Sequence, residues 1–291
     1  SGKKKFADLN TDSVIIAPEP NNQRHEMTHD LALILAAVFY IVAAGLLYQS
    51  IRKQSESLQS ISLGFCTLGV LAHAAAQYTH WFNENVPNVG IAHLLSLCAL
   101  VITVILMTSA LTNRKLYAAG LIALPIAAMV VVVEFLVPHQ GLPLHEASTG
   151  TSVHMISSVL AFGLLSIAGV YALFVVVIDH FLRRHHLSPL VRSLPALEVL
   201  ESLLFKLIAL GFILLTVSLA SGVMFINDIF AQHLLHKTIL SIMAWLVFGI
   251  LLFGRWRYGW RGSLAVRLTV AGIVLLILSY FGTKLVLEVI L

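Results

Sequence analysis

The chain has 291 residues, 58% of them hydrophobic and 11% charged, with the apolar residues gathered in runs about twenty long. A span of about 20 apolar residues matches a hydrocarbon layer of roughly 30 Å, so the composition excludes an ordinary soluble globular enzyme. The net charge of +4 resides in short connections rather than one contiguous patch, which excludes a nucleic-acid surface.

Residues 1–29 are polar, hold Lys3, Lys4, Lys5, Pro18 and Pro20, and lack the apolar centre of a secretory signal, so they read as a flexible tail. Residues 30–291 read as a single domain. Backbone groups inside lipid must be paired within each segment, so the apolar runs are expected to be helices and the fold class is an all-α, polytopic membrane bundle of about eight transmembrane helices. Spans are expected at about 30–50, 60–80, 91–111, 116–137, 153–178, 202–226, 236–254 and 264–289, bounded by charged, Pro- or Gly-containing turns.

Alternate connections carry the cations: Arg52 and Lys53, Arg114 and Lys115, Arg183, Arg184 and Arg192, then Arg255, Arg257 and Arg261. The intervening loops 81–90, 138–152 and 227–235 contain neither Lys nor Arg. By the positive-inside rule the basic loops are cytoplasmic, which puts both termini outside. Gly163 and Gly169 in the fifth span, and Gly211, Ser218 and Gly222 in the sixth, are small enough to let helices approach closely. Cys66 and Cys98 both lie in apolar runs without a Cys-x-x-Cys motif, so a dithiol reductant is excluded, as is a c-type cytochrome.

Thirteen histidines are many for so apolar a chain, and their placement is uneven. On the expected topology His73, His80, His93, His139, His145, His154, His233 and His236 fall in the outer half or outer loops; His25 and His29 fall in the tail. An ionisable residue in a membrane helix tends to face a cavity or a partner, and burial favours the neutral imidazole whose lone pair a metal needs. A single helical histidine can equally serve by bonding a neighbouring carbonyl or hydroxyl. Haem iron needs one or two axial imidazoles, from opposite ring faces. His73 and His80 share a helix face but lie about 10 Å apart along it, so they do not both bind one iron; a pair such as His73 with His154 is geometrically possible, provided the second and fifth spans are neighbours.

The segment VHMISSVLAFGLLSIAGVYALF at 153–174 resembles the His-then-Tyr-Ala helix of the CcsA/CcmC/HemX-like cytochrome c assembly family. SLPALEVLESLLFKLIALGFILLTVSLASG at 193–222 is similar to that family's Leu-Pro-x-Leu-Glu segment and following helix, and GWRGSLAVRLTVAGIVLLILSYFGTK at 259–284 to its Gly-Trp-Arg-Gly turn and last helix. The match covers the second half closely, the first half by helix count, and looks nearest to the YpjD-like branch. The resemblance implies a multi-pass protein of the bacterial inner (cytoplasmic) membrane that handles haem b at the outer face, with His154 as best axial ligand. It also implies other cytochrome c maturation proteins as partners, besides membrane lipid.

Two departures accompany the match. Full haem-handling members carry a tryptophan-rich WWD motif before the seventh span, where this chain reads FINDIFAQHLLHKTILS (225–241), and a histidine near the outer end of the last helix, where it reads GTKLVLEVIL. A haem-binding role is therefore expected ahead of a haem-lyase role, and no nucleophile-base pair, phosphate loop or paired carboxylate argues for an enzyme. His236 and Lys237 stand where the family motif runs through Pro-Lys-Glu; Lys237 matches, and His236 is either a substitute ligand or a polar helix start. The cofactor-binding candidates are thus His154, His73, His236, His93, Lys237 and Trp81, the last placed to line a haem edge. Glu134, near the outer end of the fourth span, and Glu146, in the 138–152 loop, are placed where either could pair with Lys237 or Lys284 across the outer surface. The alternative function is a non-haem accessory or regulatory subunit that keeps the fold for partner binding; a transporter, for which Pro125 is the main mid-span breaker, ranks last.

Overall fold

The computed structural model describes residues 20–80, 91–137, 149–183, 195–225 and 232–289. Among the described residues eight α-helices follow one another: α1 Pro20–Lys53, α2 Glu56–Tyr78, α3 Ile91–Thr112, α4 Gly120–Leu136, α5 Thr149–Arg183, α6 Leu197–Phe225, α7 Gln232–Tyr258 and α8 Gly262–Val289. A short 3₁₀ turn, Arg114–Ala119, leads into α4. All eight helices are long and apolar enough to cross a membrane, and the described residues contain no strand. The chain is an all-α bundle of eight candidate spans.

Local chemistry sets the turns at one end. Gln54 adopts a left-handed φ of 52° after α1, and Ser55 then accepts from the Leu58 N–H at 3.4 Å to cap α2. Asn113 accepts from the Lys115 N–H at 3.0 Å and starts the 3₁₀ turn. Between α7 and α8 the chain reverses through Gly259 and Gly262 at φ 67° and 60°, a region glycine enters without a Cβ clash. The Gly262 N–H donates to Glu201 Oε1 at 3.0 Å, which fastens this turn to the start of α6. Pro125 does not interrupt α4, which continues through it to Leu136.

Most of the helices bury one stripe, whereas α5 is buried around most of its circumference. On α1 the stripe is Leu33, Ala36, Tyr40, Ala43 and Leu47, spaced three and four apart, while Leu31, Val38 and Ile41 point outward. Outward-facing leucine and isoleucine would be a liability in water but suit a lipid surrounding. α1 packs along α2 and α4, and α3 along α4; α5 packs chiefly against α6 and also against α3 and α8, and α7 against α6 and α8. The expected close approaches occur: a Cβ on Gly163 would stand 2.6 Å from Val101 Cγ1, and one on Gly211 2.7 Å from Leu165 Cγ. Since lipid is as apolar as leucine, such tight contact rather than water exclusion holds these helices together.

Helices alternating in direction place the turns at 53–56, 113 and 259–261 at one end, the basic end. The starts of α1, α3, α5 and α7 and the ends of α2 and α4 meet at the other. α1 begins inside the segment expected as tail, and its membrane-length part already starts at Met27. His29 is therefore a buried helical residue, 5% exposed, and not part of a tail.

Candidate functional site

Four helices bring a polar cluster together near the end opposite the basic turns. His29 comes from the first turns of the α1 span, Gln77 from the end of α2, His80 from just beyond it, His93 from the start of α3 and Glu134 from the end of α4, and all five are buried. His93 Nδ1 lies 2.6 Å from Glu134 Oε1; a carboxylate only accepts, so Nδ1 carries the proton. Gln77 Nε2 donates to Glu134 Oε1 at 3.1 Å and Oε2 at 3.4 Å. His29 Nε2 stands 3.9 Å from Glu134 Oε1, and its Nδ1 stands 3.7 Å from Asp30 Oδ1. The His80 ring stacks on that of His93, centroids 3.8 Å apart at 16°. Glu134 thus bonds inward to His93 and Gln77 and is 1% exposed, instead of meeting Lys237 across a surface.

His73 lies one layer deeper, and its bonds form a chain with a readable direction. The Thr103 hydroxyl donates to the Leu100 carbonyl at 2.9 Å, so Tyr40 O–H donates to Thr103 Oγ1 at 3.2 Å. Tyr40 then has no second proton, and His73 Nδ1–H donates to its oxygen at 3.2 Å. His73 Nε2 lies 2.7 Å from the Ser96 hydroxyl, which also bonds the Glu134 carboxylate. Both ring nitrogens of His73 are occupied.

His154 is built differently. It sits near the start of α5 against α6, half-buried, and its Nδ1 lies 2.8 Å from the Ser218 carbonyl oxygen and 3.4 Å from Ser218 Oγ. A carbonyl has no proton to give, so Nδ1–H donates and the neutral ring keeps its lone pair on Nε2, which no described residue hydrogen-bonds. An imidazole oriented by a carbonyl through one nitrogen and open at the other is the arrangement of a metal-ligating histidine. The Ser221 hydroxyl lies 2.8 Å from the Val217 carbonyl oxygen and 3.0 Å from that of Ser218.

The sequence-derived candidates therefore separate. His73 and His93 belong with α1–α4, and His154 with α5 and α6. Lys237 lies at the start of the α7 span, half-buried, where its carbonyl accepts from Ser279 Oγ on α8 at 2.8 Å. His236 is in α7, but its side chain, like Trp81, His139, His145, Glu146 and the side chains of His233 and Lys284, lies outside the described residues. His29 and Glu134 are the buried groups that the sequence reading placed elsewhere. Helical phase was the available signal: His29 continues the stripe through Leu33 and Ala36, and Glu134 continues Ala127 and Val131.

Comparison with known proteins agrees with this architecture. The family described as Cytochrome C assembly protein matches residues 31–291. The inner membrane protein YpjD of Escherichia coli K12 is 29% identical over 265 residues, covering 88% of this chain and 98% of its own. A 28.8 kDa protein encoded in the nifR3-like 5′ region of Azospirillum brasilense is 33% identical over 48% of this chain and 52% of its own. The cytochrome c biogenesis protein CcsA of Prochlorococcus marinus MIT 9303 is 33% identical over 95 residues, 32% of this chain and 30% of its own. No solved structure matches. The chain belongs to the cytochrome c assembly protein family, in its YpjD-like branch, and is a multi-pass protein of the bacterial inner membrane.

Proposed function

We propose that this protein binds a b-type haem at the end of the bundle opposite the basic turns, with His154 as axial ligand, and assists haem handling or delivery in cytochrome c assembly. The observation that carries the reading is the His154 Nδ1–H bond to the Ser218 carbonyl at 2.8 Å, which aims the basic Nε2 away from α6. Bound haem would supply the iron that accepts this lone pair. His73 would have to give up one of its two ring hydrogen bonds before it could ligate, whereas His154 Nε2 carries none to a described residue, so His154 is the stronger of the two imidazoles. Lys237, at the same end, is suited to a haem propionate. With the basic turns in the cytoplasm, both chain ends and His154 face the outer side.

The test is a visible spectrum of the protein purified in mild detergent and supplied with haem. A Soret band that is lost in the folded His154→Ala variant supports the assignment, and a wild-type protein that stays colourless removes it. A second reading is favoured by the absence of tryptophan from 225–241, the place of the WWD motif. On that reading the chain is a non-haem accessory or regulatory subunit, and a colourless protein that co-purifies with a stoichiometric partner supports it.

A further inference from the structure

One ligand atom from each of His29, His93 and Glu134, on three different helices, lies within 4.8 Å of the other two. We propose that these three side chains form a binding site for a divalent transition metal ion, separate from the haem-directed His154. The donor set, two imidazoles and one carboxylate, is that of zinc sites which keep a fourth position open. Bonds of about 2.0–2.2 Å in tetrahedral array hold ligand atoms about 3.3–3.5 Å apart. The present separations from Glu134 Oε1, 2.6 Å to His93 and 3.9 Å to His29, straddle that value, so small movements of two side chains seat an ion.

The surroundings are those of a ligand set. The Asp30 carboxylate lies on the Nδ1 side of His29 while Nε2 faces Glu134, and Gln77 holds both oxygens of Glu134. Such outer carboxylates and amides orient first ligands toward a metal. Residues 27–51, 56–80, 91–113 and 116–137, which make up the packed parts of α1–α4, contain no lysine or arginine. Among the described residues the ion-pair partners of Glu134 are the imidazoles of His29 and His93, and a bound dication would neutralise the buried carboxylate. On binding, the ion takes the Nδ1 lone pair of His93 and the ring proton shifts to Nε2, so no net proton leaves the ring. His80, stacked on His93, is the nearest further imidazole to the fourth position.

The test uses the intact chain in detergent, stripped with a chelator and titrated with zinc alone against a chromophoric competitor. One tightly held ion per chain is expected. His93→Ala and Glu134→Gln should each weaken it by at least about 10-fold, with Gln77→Ala weakening it less, and His154→Ala should leave it unchanged. Where His93→Ala does not fold, cobalt(II) bound to the wild type decides, since a tetrahedral nitrogen and oxygen set gives visible d–d bands that Glu134→Gln abolishes. The proposal is overturned if the wild type takes up no more zinc than the His29→Ala/His93→Ala/Glu134→Gln protein, or if His154→Ala loses the ion. Zinc uptake is read without haem, so its failure and that of the haem assignment are distinguishable.

Discussion

His93 on α3 and Glu134 on α4 meet at 2.6 Å, both less than 5% exposed. The pair joins two helices that are separated in sequence by the 3₁₀ turn at the opposite end, so it clamps that hairpin at its far tip. Removing one member of a buried hydrogen-bonded pair strands the other, at a cost of about 3 kcal/mol. His93→Ala is therefore expected to lower the thermal midpoint in detergent markedly, and the double variant His93→Ala/Glu134→Leu to recover part of the loss. A double variant no better than the single one would contradict the pairing.

Tyr40 links α1 to both α2 and α3 through a single hydroxyl. Tyr40→Phe keeps the ring but leaves His73 Nδ1–H without its acceptor, and a destabilisation of about 1–3 kcal/mol is expected. Denaturant titration of the purified protein reads this directly; an unchanged midpoint would mean that His73 finds another acceptor.

Ser218 holds His154 mainly through its main-chain oxygen, not its hydroxyl. Ser218→Ala should therefore leave the Soret band of a haem-loaded protein almost unmoved, whereas His154→Ala removes it. If the two variants lose haem equally, the hydroxyl rather than the carbonyl orients the ring.

Gly211 faces Leu165 with no room for a side chain. Gly211→Val is expected to push α6 off α5 at a cost of about 1–3 kcal/mol, and to lower haem retention because the α5–α6 contact sets the His154 to Ser218 bond. Size-exclusion behaviour together with the visible spectrum separates this from simple misfolding.

The helices were legible in the sequence because apolar runs of membrane length have few alternatives in lipid. Span boundaries were legible wherever a turn carried a charge or a glycine, as at Arg52 or Gly259. The start of α1 was not, because the polar turns through Met27 and His29 have no apolar run to announce them, and burial against α2 and α4 decides their state. His154 could be singled out by resemblance, but its tautomer depends on a carbonyl sixty-four residues away in the chain. Glu134 was visible as a lone carboxylate in an apolar segment, yet its partners come from other helices, and tertiary neighbours cannot be read from spacing along one strand of sequence.

The division of the histidines between the two helix groups has a consequence for ligand traffic. His93 is committed to the α1–α4 quartet and His154 to the α5–α6 seam, so neither ring can swing into the other's place without a whole helix moving. A porphyrin iron held by His154 and a small ion held by His93 would consequently not compete for the same imidazole.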